Sequence, residues 1–216
     1  LKIKPTDYLR FSAEGTSSRN DTRYVNALTK AEFKDDPRQV TKRLAHGAPQ
    51  TTYTHQALNS DRWQVGAEYD VTKQLSLKAS HFREDKTSDF INFFNASTYD
   101  YDGNEFSARF TDEKFSVIAG LQNFDGSRKA STNVTTKDNE AYFISAEHQA
   151  DWLVNGLTLS AGTRKEKVSY VYKPNIGQAL KQSDDLTAWD IGANYKFSPE
   201  LSAFTNFNQA FQTPDI

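Results

Sequence analysis

The chain has 216 residues, of which 37% are hydrophobic and 13% aromatic, and its formal net charge is -2. Because there is no excess of basic residues to neutralise phosphates, a nucleic-acid partner is not expected. Cysteine is absent, which excludes disulfides, thiol catalysis and cysteine-ligated metal sites. No apolar run is long enough for a transmembrane helix, but a barrel strand needs only about ten residues of alternating character.

The first strand is predicted at 6–15, and a long connection follows at 17–58. Within this connection Thr29 stands three residues before Glu32, the spacing of a capping box. Pro37 then interrupts any helical continuation. The sequence therefore predicts a short helix between Thr29 and Pro37 inside an otherwise irregular connection.

Apolar and polar residues alternate through most of the remaining chain. In "RWQVGAEYD", Trp63, Val65, Ala67 and Tyr69 fall on one face, and polar or charged residues fall on the other. Such alternation is typical of a strand with one buried face. About nine strands are predicted, at 6–15, 59–70, 75–86, 103–111, 114–124, 139–149, 157–171, 186–197 and 200–211.

The predicted connections alternate between short and long. Short ones are expected at 71–74, 111–114, 150–156 and 198–200, and long ones at 17–58, 87–102, 125–138 and 172–185. This layout places the short turns at one end of the sheet and the long connections at the other, as in outer-membrane β-barrels. Aromatic residues beside the short turns indicate an interfacial girdle: Tyr69, Phe110, Phe115, Trp152, Tyr195 and Phe197. The predicted fold is all-β, an antiparallel up-and-down segment of a larger transmembrane β-barrel.

A soluble β-sandwich or soluble barrel with one buried face is the alternative, since regular strands with turn signals also suit it. The predicted strands are long for a sandwich. The faces opposite the apolar ones are charged along their length. That charge suits a wet or plugged lumen, but it equally suits the solvated outer face of a soluble protein.

The last third of the chain resembles the middle of the barrel of TonB-dependent outer-membrane receptors. The resemblance lies in "GLTLSAGTRKEKVSY" and "LTAWDIGANYKFSPELSAFTNFNQAFQTPDI". Gly192, Tyr195, Phe197, Pro199, Leu201 and Phe204 match a paired-strand motif of that family, and Phe211, Pro214 and Ile216 match the segment that follows it. Ala210 and Gln212 depart from the family pattern, in which Gly and Arg are usual. "AEFKDDPRQ" is also similar to a first-loop segment of siderophore-type receptors.

This resemblance implies a barrel of about 22 strands in the Gram-negative outer membrane, closed around a plug domain. Residues 1–216 would form part of the barrel domain, with the plug domain and the C-terminal strands absent from the sequence. The implied function is import of a ferric siderophore or similar iron chelate, energised by the TonB complex through the plug. The chelate, outer-membrane lipid and the TonB complex are thus the expected partners. A passive porin is the alternative within the membrane.

The predicted outer connections contain the candidate ligand-binding residues. The segment "DFINFFNASTYDYD" is dense in rings, and arginines in the other long connections could attract an anionic chelate. The candidates are Phe90, Phe93, Phe94, Tyr99, Tyr101, Arg19 and Arg128, with Arg23 and Arg38 as further cations. An outer aromatic girdle is an equally good interpretation of the rings.

Catalytic and metal-binding patterns are weak. His46, His55, His81 and His148 show no metal-ligand spacing, and no nucleophile motif is present, so neither an enzyme nor a cofactor is expected. We expect packing or interfacial roles for His81 and His148. The stretch "YDYDGNE" carries enough oxygen ligands to suggest calcium, but a turn stabilised by Asp and Gly is the preferred interpretation.

Overall fold

The computed structural model describes residues 1–25, 27–40, 42–45, 48–51, 53–91 and 95–216, with backbone alone for 42–45 and 48–51. The strands are β1 (Lys2–Thr6), β2 (Leu9–Val25), β3 (Lys42–Ala45), β4 (Ala48–Thr51), β5 (Tyr53–Asp70), β6 (Leu75–Phe90), β7 (Asn95–Thr111), β8 (Phe115–Ala130), β9 (Asn133–Gln149), β10 (Leu157–Pro174), β11 (Leu180–Lys196) and β12 (Ser202–Gln209). One helix, α1, covers Lys30–Asp35.

Ten strands form one antiparallel sheet in the order β1-β2-β5-β6-β7-β8-β9-β10-β11-β12, and β3 and β4 form a separate hairpin. Consecutive strands of the large sheet are neighbours, which is the predicted up-and-down arrangement. The nine predicted strands correspond to β2 and to β5 through β12. The strand predicted at 6–15 in fact overlaps two strands, because the chain turns at Asp7 and Tyr8 and β1 pairs back onto β2.

The two faces of the sheet differ in the predicted way. Trp63, Val65 and Tyr69 of β5 lie on the apolar face, and each is 43–44% exposed because no second layer of described residues covers it. The opposite, polar face carries charged groups that pair with one another. Near the short turns, for example, Arg10 donates to Asp70 and Glu68 at 2.7–2.9 Å.

The apolar face becomes polar partway along each strand. On β5 the change comes between Trp63 and Asp61, and on β6 it comes between His81 and Arg83. Trp63 pairs with Arg83 rather than with His81, so the boundary crosses these strands obliquely. An oblique boundary is expected when the strands of a barrel tilt relative to its axis. On β5 the apolar region runs from Trp63 to Tyr69, and on β7 it runs from Phe106 to Phe110.

The short turns lie close to their predicted positions, at 71–74, 112–114, 150–156 and 197–201. Three of the predicted long connections are wrong: 87–102, 125–138 and 172–185 consist mostly of paired strand. Beyond the apolar region both faces are polar, so the alternation disappears although the backbone pairing continues. The connection between β2 and β5 remains long and contains α1 and the β3–β4 hairpin.

The "YDYDGNE" stretch is part of β7 and is neither a turn nor half a calcium loop. Gly103 within it pairs with Phe82 and Phe124 on the neighbouring strands. A Cβ at this position would lie 2.6 Å from Phe82 Cε1 and 2.9 Å from the Asn123 carbonyl oxygen. The glycine therefore permits a close ring approach across the strand rather than a change of chain direction.

The predicted helix is confirmed. Glu32 N donates to Thr29 Oγ1 at 3.3 Å, and Thr29 N donates to Glu32 Oε2 at 2.7 Å, so both halves of the capping box are present. The helix ends at Asp35, two residues before Pro37. None of the helices in the described ranges is both long and apolar enough to cross a membrane.

Candidate ligand site on the polar face

Four rings lie side by side on the polar face, on the side away from the short turns. Phe82 of β6, Tyr99 and Tyr101 of β7 and Phe124 of β8 form this group, here called the ring row. The centroids are 6.0 Å apart for Tyr99 and Tyr101, 5.7 Å for Tyr101 and Phe124, and 6.3 Å for Phe82 and Phe124. All three pairs are within 30° of parallel. Together they give a flat aromatic surface across three strands.

Cationic groups surround the ring row. The Arg62 guanidinium lies 4.5 Å from the Phe82 centroid. Lys86 and Arg128 lie 5.3 Å and 6.0 Å from the Tyr99 centroid, and Lys137 lies 5.9 Å from that of Phe124. Such placements stabilise a cation over a ring. They also keep the charges close to any group that stacks on the rings.

These cations differ in how far they are neutralised. Arg62 lies 3.7 Å from a Glu84 carboxylate oxygen. Lys86, Arg128 and Lys137 form no salt bridge with any described residue; Arg128 has only a 3.4 Å contact to the Ser97 hydroxyl. Glu84 and Asp215 bring negative charge close to Tyr101, but three of the four cations have no carboxylate partner among the described residues. The ring row therefore suits an aromatic or apolar ligand that carries anionic groups.

A hydrogen-bonded chain of polar side chains crosses the face on the short-turn side of Phe124. Gln122 donates to Glu105 at 2.8 Å and accepts from Arg164 at 2.6 Å. Arg164 also donates to Glu166 at 2.8 Å, and Asn139 donates to the same carboxylate at 2.6 Å. Glu166 is only 4% exposed, so the pairing with Arg164 compensates a buried charge. These hydrogen bonds link four strands of the wall next to the ring row, although the side-chain oxygen of Asn139 is buried without a partner among the described residues.

The structure brings some of the predicted site residues together and separates others. Tyr99 and Tyr101 belong to the ring row, and Arg128 lies beside it. Phe90 lies on the same face of β6, half-buried and paired with Asn95. Phe93 and Phe94 lie outside the described residues.

Arg19 lies elsewhere. Its position in β2 is on the same face of the sheet as the apolar residues. Its guanidinium donates to both carboxylate oxygens of Asp61 at 2.7 and 2.9 Å. Arg23 is on the same face of β2, and its guanidinium carbon lies 5.3 Å from the centroid of the Tyr53 ring. The backbone N–H of Arg38 donates to Asp36 near α1.

Sequence reasoning missed Phe82, Phe124, Arg62, Lys86 and Lys137. A usable signal existed for the two phenylalanines, since the alternation places both rings on the charged face of otherwise regular strands. The cations had no such signal, because lysine and arginine are ordinary on a polar face. Only the strand register places them beside the rings.

His81 and His148 have packing contacts, and His55 Nε2 lies 2.7 Å from Asp21 Oδ1. His81 Nδ1 lies 2.9 Å from Asn104 Oδ1, and its ring centroid is 5.1 Å from that of Trp63. His148 Nε2 accepts from Trp152 Nε1 at 3.2 Å. Both contacts agree with the expected packing or interfacial roles, and His46 lies outside the described residues. Within the described ranges, no group of three or more histidine, aspartate or glutamate side chains could hold a metal ion.

Solved structures share this architecture. The ferric yersiniabactin uptake receptor FyuA from Yersinia pestis is 16% identical with a TM-score of 0.64, and the match covers 95% of this chain and 35% of FyuA. The alcaligin outer-membrane receptor FauA from Bordetella pertussis is 13% identical with a TM-score of 0.70, covering 95% and 33%. The ferric citrate transporter FecA is 12% identical with a TM-score of 0.72, covering 96% and 34%. The chain thus spans about a third of these receptors, and at such identities the likeness shows the fold.

The sequence comparison identifies the family. No curated protein matches the chain, but the sequence profile of the TonB-dependent receptor-like β-barrel matches residues 3–216. This match removes the soluble sandwich as an interpretation, and members of the family are transport receptors rather than enzymes. The chain belongs to the TonB-dependent receptor β-barrel family of the Gram-negative outer membrane.

Proposed function

We propose that this chain is the barrel segment of a receptor that binds a ferric siderophore or similar iron chelate and imports it with energy from the TonB complex. In this proposal the apolar face contacts outer-membrane lipid and the polar face lines the lumen. The observation that carries the proposal is the ring row with its unneutralised cations. It lies beyond the apolar region, on the side where a ligand would enter.

The chemistry of the ring row suits such cargo. A ferric chelate is bulky, has apolar or aromatic surface and often bears net negative charge. Stacked rings hold its flat surface, and lysine and arginine attract its charge. The names of FyuA, FauA and FecA refer to ferric yersiniabactin, alcaligin and ferric citrate, which supports iron chelates as the cargo class.

Direct binding tests the proposal on the full-length receptor in detergent. The probes are ferric citrate, a ferric tris-catecholate and a ferric trihydroxamate, each followed by tryptophan quenching. We expect one of these to bind and Arg128→Gln to weaken it about tenfold, since a hydrogen bond to a charged group is lost. Arg19→Gln is the matched control, because Arg19 lies on the opposite face, and it should leave affinity unchanged. Binding of copper alone would contradict the iron proposal, since the copper transporter OprC shares the fold.

Energisation needs a separate experiment in cells. Uptake of the radioactive iron chelate should stop when an uncoupler collapses the proton gradient, whereas surface binding should persist. Uptake that continues with the uncoupler present would indicate passive diffusion and would overturn TonB coupling.

A further inference from the structure

After β12 the chain leaves the large sheet. β12 ends at Gln209, which pairs with Trp189, although β11 extends nine residues further, to Leu180. Instead of continuing this ladder, the chain turns over the polar face. Residues 211–216, here called the strap, cross β10 and β9 and reach β8.

Two buried or half-buried donors hold the strap. The carbonyl oxygen of Pro214 accepts from Lys137 Nζ at 2.9 Å and from Tyr170 Oη at 2.6 Å. Lys137 also donates to Thr213 Oγ1 at 3.0 Å and is 7% exposed. The Lys137 ammonium lies 5.6 Å from the Tyr170 centroid and 5.9 Å from that of Phe124, at the end of the ring row.

Ile216, within the strap, lies on the ring row. Ile216 Cδ1 is 3.0 Å from where a Cβ of Gly126 would be, beside the rings of Tyr101 and Phe124. The absence of a side chain at Gly126 leaves the space that Ile216 fills. The strap thus covers part of the surface assigned above to the ligand.

We propose that Lys137 and Tyr170 form a donor pair for a negatively charged oxygen of the cargo, and that the strap is an internal competitor that occupies this pair until cargo binds. The inference rests on the proposed function. An ammonium and a phenol that converge on one oxygen atom form a site for a carboxylate, catecholate or hydroxamate oxygen. In the structure a neutral peptide oxygen takes that place.

The donor pair binds an anionic oxygen of the cargo more strongly than it binds the Pro214 carbonyl oxygen. A hydrogen bond from an ammonium to an anionic oxygen is roughly twice as strong as one to a neutral acceptor. Cargo should therefore displace the strap, whereas water alone should leave it in place. Since the strap and the cargo compete, a weaker strap raises apparent affinity and a weaker donor pair lowers it.

The first test measures chelate affinity in variants of the full-length receptor, with the same three ferric chelates. Lys137→Met and Tyr170→Phe should each weaken chelate binding, by about tenfold for the lysine. The lost hydrogen bond is stronger to an anionic oxygen of the cargo than to the neutral carbonyl oxygen of the strap. Ile216→Ser loosens the strap without touching the donors and should tighten binding a few-fold. Lys129→Met is the control. Lys129 is exposed and belongs to the same β8–β9 hairpin, but it is on the opposite face of the sheet, so this substitution should leave chelate affinity unchanged.

The second test follows the strap itself with a nitroxide on Gln212→Cys, an exposed position within it. The label should be immobile in the free receptor and become mobile when chelate is added. The Lys137→Met and Tyr170→Phe double variant should release it without chelate. Unchanged circular dichroism of the double variant shows that the barrel has folded.

The outcomes separate this inference from the proposed function. If none of the three chelates binds the unmodified receptor, the iron proposal fails, and the label in the double variant alone decides whether the donor pair holds the strap. If chelate binds and the label stays immobile, the strap is a fixed part of the barrel wall. The proposal that cargo displaces the strap is then wrong. An unchanged affinity of Ile216→Ser overturns it as well.

Discussion

At the scale of single residues, Gly156 in the turn between β9 and β10 has a backbone that other residues avoid. Its φ is +82°, and an added Cβ would lie 2.7 Å from the Lys196 carbonyl oxygen. That carbonyl belongs to β11, so the turn cannot relax without moving a second strand. Gly156→Ala should therefore destabilise the receptor by about 1–3 kcal/mol, measured by urea unfolding of the full-length protein in micelles.

Gly15→Ala provides the matched control. No atom lies within 4 Å of its added Cβ, and its φ is not positive. In the middle of β2 the substitution should be neutral or slightly stabilising. Equal losses at both glycines would show that the loss at Gly156 does not come from its turn conformation.

The same turn contains a titratable contact outside the strands. The backbone N–H of Gly156 donates to Asp151 Oδ1 at 3.1 Å, and Lys114 Nζ lies 3.3 Å from the other carboxylate oxygen. The Gly156 hydrogen bond, followed by Lys114, lowers the pKa of Asp151 below its usual value. The stabilisation is therefore complete above the unfolded pKa of about 3.9 and is lost as pH falls through the folded value.

This pH dependence can be measured as a difference between two proteins. The unfolding free energy of the unmodified receptor should exceed that of Asp151→Ala at pH 6. The gap should shrink as pH falls below about 4, because protonation removes the charge that Gly156 and Lys114 stabilise. A gap that stays constant down to pH 3 would mean that the carboxylate charge contributes nothing to the turn.

At the scale of strands, three aspartates oppose one another on neighbouring strands. Asp102 of β7 pairs with Asp125 of β8, and Asp125 pairs with Asp138 of β9. Like charges directly opposite are destabilising. Asp125→Asn, which removes the central charge, should therefore raise stability by about 0.2–1 kcal/mol in the same unfolding measurement.

A second aspartate should respond in the opposite direction. Asp61 on β5 accepts two hydrogen bonds from Arg19, so Asp61→Asn removes an attraction. A small loss is expected, since the pair is exposed. If both substitutions stabilise, general relief of negative charge explains the result and the specific strand register does not.

Sequence reasoning located strands well where one face is apolar and poorly beyond that region. The alternation in β5 and β11 ends near Trp63 and Trp189, and the strands continue for several residues with polar groups on both faces. In "NASTYDYDGNE" the Asn, Asp and Gly residues have turn preferences, yet cross-strand pairing keeps them extended. Pairing between distant residues overrides local preference there, and a single sequence carries no record of that pairing.

The candidate site shows the same limit. Tyr99, Tyr101 and Arg128 were found because rings and arginines were sought in the predicted connections. Lys137 and Tyr170 are separated by 33 positions and become neighbours only through the register of β9 and β10. Residue type indicated that some site existed on this side of the sheet, and the hydrogen-bonding register determined its composition.

At the scale of the whole molecule, the single-layer sheet needs a covering for its apolar face. Trp63 and Trp189 lie on that face at the edge of the apolar region and are 43% and 39% exposed. Trp152 lies in the turn 150–156 and is 75% exposed. In the proposed barrel, the first two side chains should contact lipid near one membrane interface, where aromatic residues are enriched, and Trp152 should lie at the aqueous edge of the other.

Single-tryptophan versions of the full-length receptor in bilayers with brominated acyl chains test this arrangement. Trp63 and Trp189 should be quenched strongly, most of all by bromines near the interface, and Trp152 should be quenched weakly. Aqueous iodide should give the reverse order, which controls for differences in intrinsic quenching. If bromine quenches neither Trp63 nor Trp189, protein must cover the apolar face. The polar face could then no longer be assigned to the lumen, and the ring row would lose its position on the path of the ligand.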